Sequence, residues 1–318
     1  MKFPISTLFL CGCLLAPALA RAEPWPARPI TITVGFSAGG SYDAMARKIA
    51  EGLQESLGQP VVVASKPGAG GIVMTQALAR ARPDGYQVGF TTSLNLTLDA
   101  HAGVVPFNAA GVEALASVAR FQSVIVAGAE QPYDDMSGLI AYTRKKGFTQ
   151  FGKQALVDEL VIRGVMDSEH VEFNFIPYKG GVDVRLAAMQ RQIDFGYVGA
   201  GYKPDVDAGR LKILATTAPD RLPAFPQVRT LKELGYPVSE ESVALFLVPA
   251  GTPGDIKARL SDAIVKVAAT PEFRSFLAQT LLLVPEARIG AGLKASLDAQ
   301  EAQWTRLLAA NRKTAKTQ

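Results

Sequence analysis

Cysteine is almost missing from this 318-residue chain, and the two present, Cys11 and Cys13, lie close to its start. Histidine is equally scarce, limited to His101 and His170. Past residue 13, the lack of cysteine excludes structural disulfides, thiol catalysis and Cys-ligated zinc. With no H-x-x-x-H, H-E-x-x-H or Cys pair, no metal site is expected. No G-x-S-x-G elbow occurs, so a nucleophilic serine has no base positioned for it by motif. Spacing alone leaves a His–Ser–Asp set open, and an exported hydrolase using Ser41 or Ser93 stays as an alternative. Strong charge is lacking too: the formal balance is +4, and the basic residues are scattered. A clustered basic face is what nucleic acid requires, so no nucleic-acid partner is expected.

Long apolar runs are confined to the start. "MKFPISTLFLCGCLLAPALARA" has basic Lys2, an apolar run of about a dozen residues, and small residues ending Ala18-Leu19-Ala20 or Ala20-Arg21-Ala22. That layout predicts a signal peptide over 1–22, cut before Glu23, and it is too short for a permanent span. Only Arg21 lies near the cut, so a twin-arginine route is not suggested. "LCGC" at 10–13 resembles a lipoprotein box, but the apolar run continues past Cys13, which favours ordinary cleavage over lipid anchoring. The rest of the chain is long enough to stabilise one large or two moderate domains by burial alone.

What is present is alternation. "ITITVGF" (30–36) predicts a strand, followed by a helix over 42–57 with Met45, Ile49, Leu53 and Leu57 on one stripe. Further strands are expected at 60–65, 86–92, 123–128, 147–152, 171–178, 194–199, 211–217 and 241–251. Helices are expected at 71–81, 135–146, 155–167, 181–192, 254–269, 271–280 and 290–312. Strand–helix–strand alternation with short links is the pattern of parallel βαβ units, and so of an α/β fold in two packed lobes.

The glycine stretches suit no nucleotide. "GFSAGGSYD" (35–43) lacks the G-K-[ST] ending of a phosphate loop, and "GAGGIV" (68–73) has Val73 where a dinucleotide fingerprint needs glycine. No cofactor is expected. "DVDAGR" (205–210) resembles the opening of a calcium loop but lacks its later ligands, and a helix closed by Gly209 explains it better. A strand running through Ser37, Ala38, Gly39, Gly40 and Ser41 into a helix does leave free backbone N–H groups at a positive dipole end. Those donors suit an anion, although a tight turn capped by Ser41 accounts for the same residues. Thr92 and Ser93, Lys153 in "FGKQA", and Tyr178 and Lys179 in "PYKGG" stand at comparable strand ends.

Several blocks taken together resemble one family. "WPARPITITVGFSAGGSYDAMAR", "LGQPVVVASKPGAGG", "ARARPDGYQVGFTTS" and "IPYKGGVDVRLAAMQRQIDFGYVG" are similar to Bug-type extracytoplasmic solute receptors. So are "LKILATTAPDRLPAFPQVRTLKELGYP", "LFLVPAGTPGDIKARL" and "TPEFRSFL". These receptors serve tripartite tricarboxylate transporters. The resemblance implies a two-lobed periplasmic binding protein of the type II, Venus-flytrap kind, with two Rossmann-like lobes around a cleft. One lobe would comprise 23–121 plus 241–318, and the other 122–240. It implies a monomeric, non-enzymatic periplasmic protein that takes a small carboxylate: a di- or tricarboxylate, an acidic amino acid or an aromatic acid. Membrane subunits of the transporter would be its partners; a sensor protein receiving the ligand-closed form is the alternative.

The resemblance also assigns a site. Ser37, Ala38, Gly39, Gly40, Ser41 and Asp43 would join Thr92 and Ser93 on one lobe. Gly152, Lys153, Gln154, Ala155, Tyr178, Lys179 and Gly180 would close from the other. Asp43 is expected to order its loop rather than meet an anion. Two departures stand out. Ala38 occupies a position usually held by proline, and "FGKQALVDEL" replaces a Gly/Ser-rich segment. There, Lys153, Gln154, Ala155 and Leu156 would project into the cleft or send the loop elsewhere. In one reading Lys153 pairs with a second ligand carboxylate; in the other, Gln154 and Leu156 partly fill the pocket.

Overall fold

The computed structural model describes residues 24–103, 109–236 and 240–314, so the expected signal peptide, with Cys11 and Cys13, lies outside the described residues. The chain begins with β1 (Ile30–Val34), α1 (Ser41–Leu57), β2 (Val61–Ser65), α2 (Ile72–Leu78) and β3 (Gln87–Thr92). A π-helical turn at Asn95–Asp99 runs into α3 (Ala100–Ala102), and β4 (Val112–Arg120) follows. The chain then crosses to β5 (Val124–Gly128), α4 (Met136–Lys146), β6 (Phe148–Lys153), α5 (Leu156–Glu169) and β7 (Glu172–Pro177). Next come α6 (Gly181–Met189), β8 (Phe195–Val198), α7 (Lys203–Asp207) and β9 (Leu211–Thr216). It returns through β10 (Val243–Pro249), α8 (Gly254–Ala268), α9 (Pro271–Ser275), β11 (Val284–Arg288) and α10 (Gly290–Thr314).

Two sheets result, one per lobe. The first is six-stranded in the order β11-β4-β10-β3-β1-β2, and the second five-stranded in the order β7-β6-β8-β5-β9. The βαβ expectation holds within each: β1 is parallel to β2 and β3, and β6 to β7 and β8. The strands next to the lobe crossings break it. β10 runs antiparallel to β3 and β4, and β5 antiparallel to β8 and β9.

Apolar periodicity determines how each helix seats. Met45, Ile49 and Leu53 of α1 are fully buried in one core with Ile30, Ile32 and Val34 of β1. Each such side chain contributes roughly 1.5–3 kcal/mol by leaving water. A helix-surface ion pair contributes only about 0.2–0.5 kcal/mol. The stripe therefore decides which face of α1 turns inward. In the second lobe Val157, Val161 and Val165 of α5 repeat the i, i+4 spacing in a core with Phe151, Phe173 and Phe195.

Two strands went unforeseen. β4, "VEALASVAR", is rich in alanine, a poor strand former, and is held as a strand by pairing with β10 and β11 on its two sides. β11 carries Pro285, which a strand tolerates at the sheet edge where it lies. The expected helix at 271–280 ends as α9 at Ser275 and continues as a π-helical turn, Phe276–Leu281. At 205–210 no calcium loop forms: Asp205 is taken by Arg185 and Arg210, and no acidic or histidine cluster suits a metal among the described residues.

The crossings lie side by side. The Phe121 N–H donates to the Ser242 carbonyl at 2.9 Å, and the Glu240 N–H to the Thr217 carbonyl at 2.9 Å. Helix α10 covers the first lobe at β4 and the π-helical turn at Asn95–Asp99. Leu293 and Leu297 pack with Met74, Leu78, Leu245 and Leu247, while Trp304 is buried in a cluster that joins Leu94 and Leu98 to the core of the second lobe. No helix among the described residues is long and apolar enough to cross a membrane.

Candidate ligand-binding site

The turn from β1 into α1 supplies one wall. Gly39, at φ +75°, adopts the left-handed conformation that side-chain-bearing residues avoid. Its N–H donates to Asp43 Oδ2 at 3.0 Å, and Arg47 donates to the same carboxylate through Nε and Nη2 at 3.0 and 3.1 Å. Burial pushes the Asp43 carboxyl up, but the Arg47 and Gly39 hydrogen bonds outweigh it and hold it below its ordinary value. Asp43 thus orders the loop, and the first N–H groups of α1 are left without intrahelical acceptors.

The second lobe brings two more helix starts. At α5, Ala155 has no side chain to cap with, so Asp158 reaches back. Its Oδ2 accepts from the Gln154 N–H at 2.7 Å and the Ala155 N–H at 3.2 Å. At α6, Gly180 on extended backbone leads into Gly181, the first helical residue, and Arg185 stands one turn further on. The two lobes touch across the gap. Ser37 Oγ donates to Asp183 Oδ2 at 2.9 Å, and a Cβ on Gly180 would stand 3.2 Å from Ser37 Oγ. The cleft is therefore closed.

Between these walls lies a cavity of about 70 Å³. Ser37, Gly40, Ser41, Thr92, Gln154, Ala155 and Gly180 line it, all of them residues the sequence singled out. One side is aromatic, with Phe36 stacked on Tyr42 at 4.3 Å and Tyr42 on Phe121 at 5.2 Å. The floor is formed at the lobe crossings by Ser123, Glu240 and Ser242.

Other expected residues are placed elsewhere. Ala38 and Lys179 are exposed. Ser93 is buried but turned away, donating to Gln300 Oε1 at 2.6 Å and accepting from the Val243 N–H at 3.1 Å. Gly152 faces Ile193 within the second lobe. Lys153 does not project into this cavity: it pairs with Glu159 and lies over the Phe175 ring. With Leu156 and Tyr178 it lines a separate hollow. The segment has taken its other path, leaving Gln154 and Ala155 as its contribution to the cavity. Neither histidine lines the cavity; His101 pairs with Glu301 at 3.2 Å, and His170 is exposed.

Sequence reasoning missed the charged lining. Asp158, Glu240 and Arg185 all face this cavity. Glu240 Oε2 accepts from Ser123 Oγ at 2.9 Å and from Tyr197 OH at 2.8 Å, while Oε1 has no partner. Burial raises the Glu240 carboxyl, with bonds from Ser242, Tyr197 and Ser123 opposing. Asp158 is raised to about 7 by burial, and its Oδ1 is likewise unpartnered. Arg185 pairs with Asp205, yet its Nε is buried without an acceptor. Asp158 had a faint signal, an acidic residue in the first turn of an expected helix. Glu240 had none.

Two α/β lobes closed over a small cavity at helix N-termini define a solute-binding protein. The profile of the "Tripartite tricarboxylate transporter family receptor" matches residues 45–287, and the chain belongs to that family. It is 30% identical over 295 residues to the protein BugT of Bordetella pertussis, covering 85% of this chain and 86% of that one. The solved structure of the periplasmic binding protein BugD is 26% identical, with a TM-score of 0.77 over 90% of this chain and 98% of that one. MatC from Rhodopseudomonas palustris with bound malate is 22% identical, with a TM-score of 0.78 over 89% and 100%, and shares the fold. The Bug-type resemblance read from the sequence therefore holds.

Proposed function

We propose that this protein is a periplasmic receptor that captures a small carboxylate in its cleft and delivers it to the membrane subunits of a tripartite tricarboxylate transporter. One observation carries the reading: α1 from one lobe and α6 from the other direct their first turns at the same small cavity. Unpaired N–H groups at a dipole's positive end favour a carboxylate there. The malate held by MatC supports that ligand chemistry. Family membership supports the transporter as recipient.

In this reading, 23–121 with 241–318 form one lobe and 122–240 the other, and the crossings at Phe121–Ser123 and Glu240–Ser242 form the hinge. Closure about that hinge is the working motion, and the receptor acts as a monomer without a cofactor. The leader-like start supports export to the periplasm. Thermal unfolding against a panel of mono-, di- and tricarboxylic acids and amino acids tests the reading. A true ligand at a hundredfold its Kd adds about 2.7 kcal/mol of stability and raises Tm. A flat Tm across the whole panel, matched by silent calorimetry, removes it.

A further inference from the structure

We infer that the ligand is an amino-carboxylate, whose ammonium group is held by Glu240 and Asp158 while its carboxylate meets the helix N-termini. The inference rests on the receptor reading above and names the ligand class of the same cavity. Glu240 and Asp158 both line the cavity and are each 1% exposed, and each has one buried carboxyl oxygen lacking a hydrogen-bond partner. A buried carboxyl oxygen left unpaired is costly, and so rare in a folded chain that it calls for a partner. The partner must donate hydrogen bonds, and a cation does so best between two carboxyl groups.

No side-chain cation among the described residues fills that role. Among the described residues lining the cavity the one basic side chain is Arg185, and its guanidinium is already paired with Asp205. Arg185 Nε remains free as a donor, and with the first turns of α1 and α6 it suits an anion. Glu240 and Asp158 act on each other and on Tyr197 through their charges, and so form an acceptor group in the cavity lining. The starts of α1 and α6 meet where Gly40 approaches Val182 and Ser37 approaches Gly180, and with Arg185 they form a donor group. A ligand with carboxylates at both ends sets charge against like charge at the acceptor group. A simple amine leaves the donor group unmet. An α-amino acid satisfies both.

Calorimetry on the mature chain with matched pairs tests this. The pairs are L-aspartate and succinate, L-glutamate and glutarate, and L-phenylalanine and 3-phenylpropionate, each differing only by the α-amino group. At least one amino acid is expected to bind about tenfold or more tighter than its partner, as loss of a charged hydrogen bond in a buried site predicts. Glu240→Gln keeps the shape and removes the charge, and should narrow that gap; Asp158→Asn serves as the second variant. If the tightest ligand among the pairs and the acid panel lacks an amino group, the inference is overturned while the receptor reading stands. A gap that survives both substitutions overturns it in the same way. Silence from every pair and from the acid panel removes the receptor reading, and this inference with it. The wild-type comparison needs neither variant to fold.

Discussion

Gly70 is where the closed cleft is most easily propped open. It lies in the turn Ala69–Gly71, on the first lobe, at φ +64°. A Cβ there would stand 2.8 Å from the Ala155 Cβ and 3.2 Å from its Cα, both on the opposite lobe. Real carbon contacts sit near 3.5–4.0 Å, so Gly70→Ala forces the lobes apart at that point. Two costs follow. Left-handed backbone costs an alanine roughly 1–2 kcal/mol in any conformation of the protein. The overlap costs a further 1–3 kcal/mol or so, but only when the cleft is shut. A control separates them: Gly58, at φ +69°, has nothing within 4 Å of a built Cβ, so Gly58→Ala bears the backbone cost alone. Both variants should lose similar Tm without ligand. In calorimetry with the best acid or amino acid of the panel, Gly70→Ala should bind about 5- to 150-fold more weakly, because apparent affinity scales with the closed fraction. Gly58→Ala should bind like wild type. A Gly70→Ala affinity within about twofold of wild type would refute the reasoning.

Two further expectations concern charge. Asp99 and Asp158 are raised from an ordinary 3.8 to about 7, chiefly by burial. Between those values the folded chain keeps protons the unfolded chain has shed. Stability therefore falls as pH rises through that window, by about 1.4 kcal/mol per unit for each group. Urea denaturation at pH 5 and pH 8 should give the higher midpoint at pH 5, with Asp99→Asn flattening the difference; the reverse order contradicts it. Lys153→Ala should leave affinity for the best panel ligand unchanged, because Lys153 is paired with Glu159 outside the cavity. Its cost in stability is at most about 1 kcal/mol, and a large loss of affinity would return Lys153 to the site.

What could be read from the sequence was what depends on neighbours along the chain. The stripe Met45, Ile49, Leu53 announces α1, and the glycines after β1 announce an opening at its N-terminus. β4 could not be read, because what makes "VEALASVAR" a strand is its pairing with β10, more than a hundred residues away. The site divides the same way. Backbone donors at a strand-to-helix turn leave a local mark, so Ser37, Gly40 and Ser41 could be singled out, and they line the cavity. Glu240 lies in irregular chain, and its importance comes from meeting Ser123 and Tyr197, which only the fold brings to it. For Lys153 two readings stayed open, because a strand-end lysine reads the same whether it faces a cleft or an acidic neighbour in the helix that follows, such as Glu159.

β10 lies between β3 and β4, and β11 lies beyond β4, so the six-stranded sheet needs strands from both ends of the chain. Helix α8 packs on α1 and β4, and α10 covers β4 and the π-helical turn at Asn95–Asp99. In a chain emerging from its N-terminus, none of these partners exists until β5 to β9 have been made. The five-stranded sheet, by contrast, takes all its strands from that one continuous stretch. It can pair completely while the first lobe still lacks its central strand. The first lobe is therefore the last to assemble, and the facing edges of β3 and β4 must wait for β10.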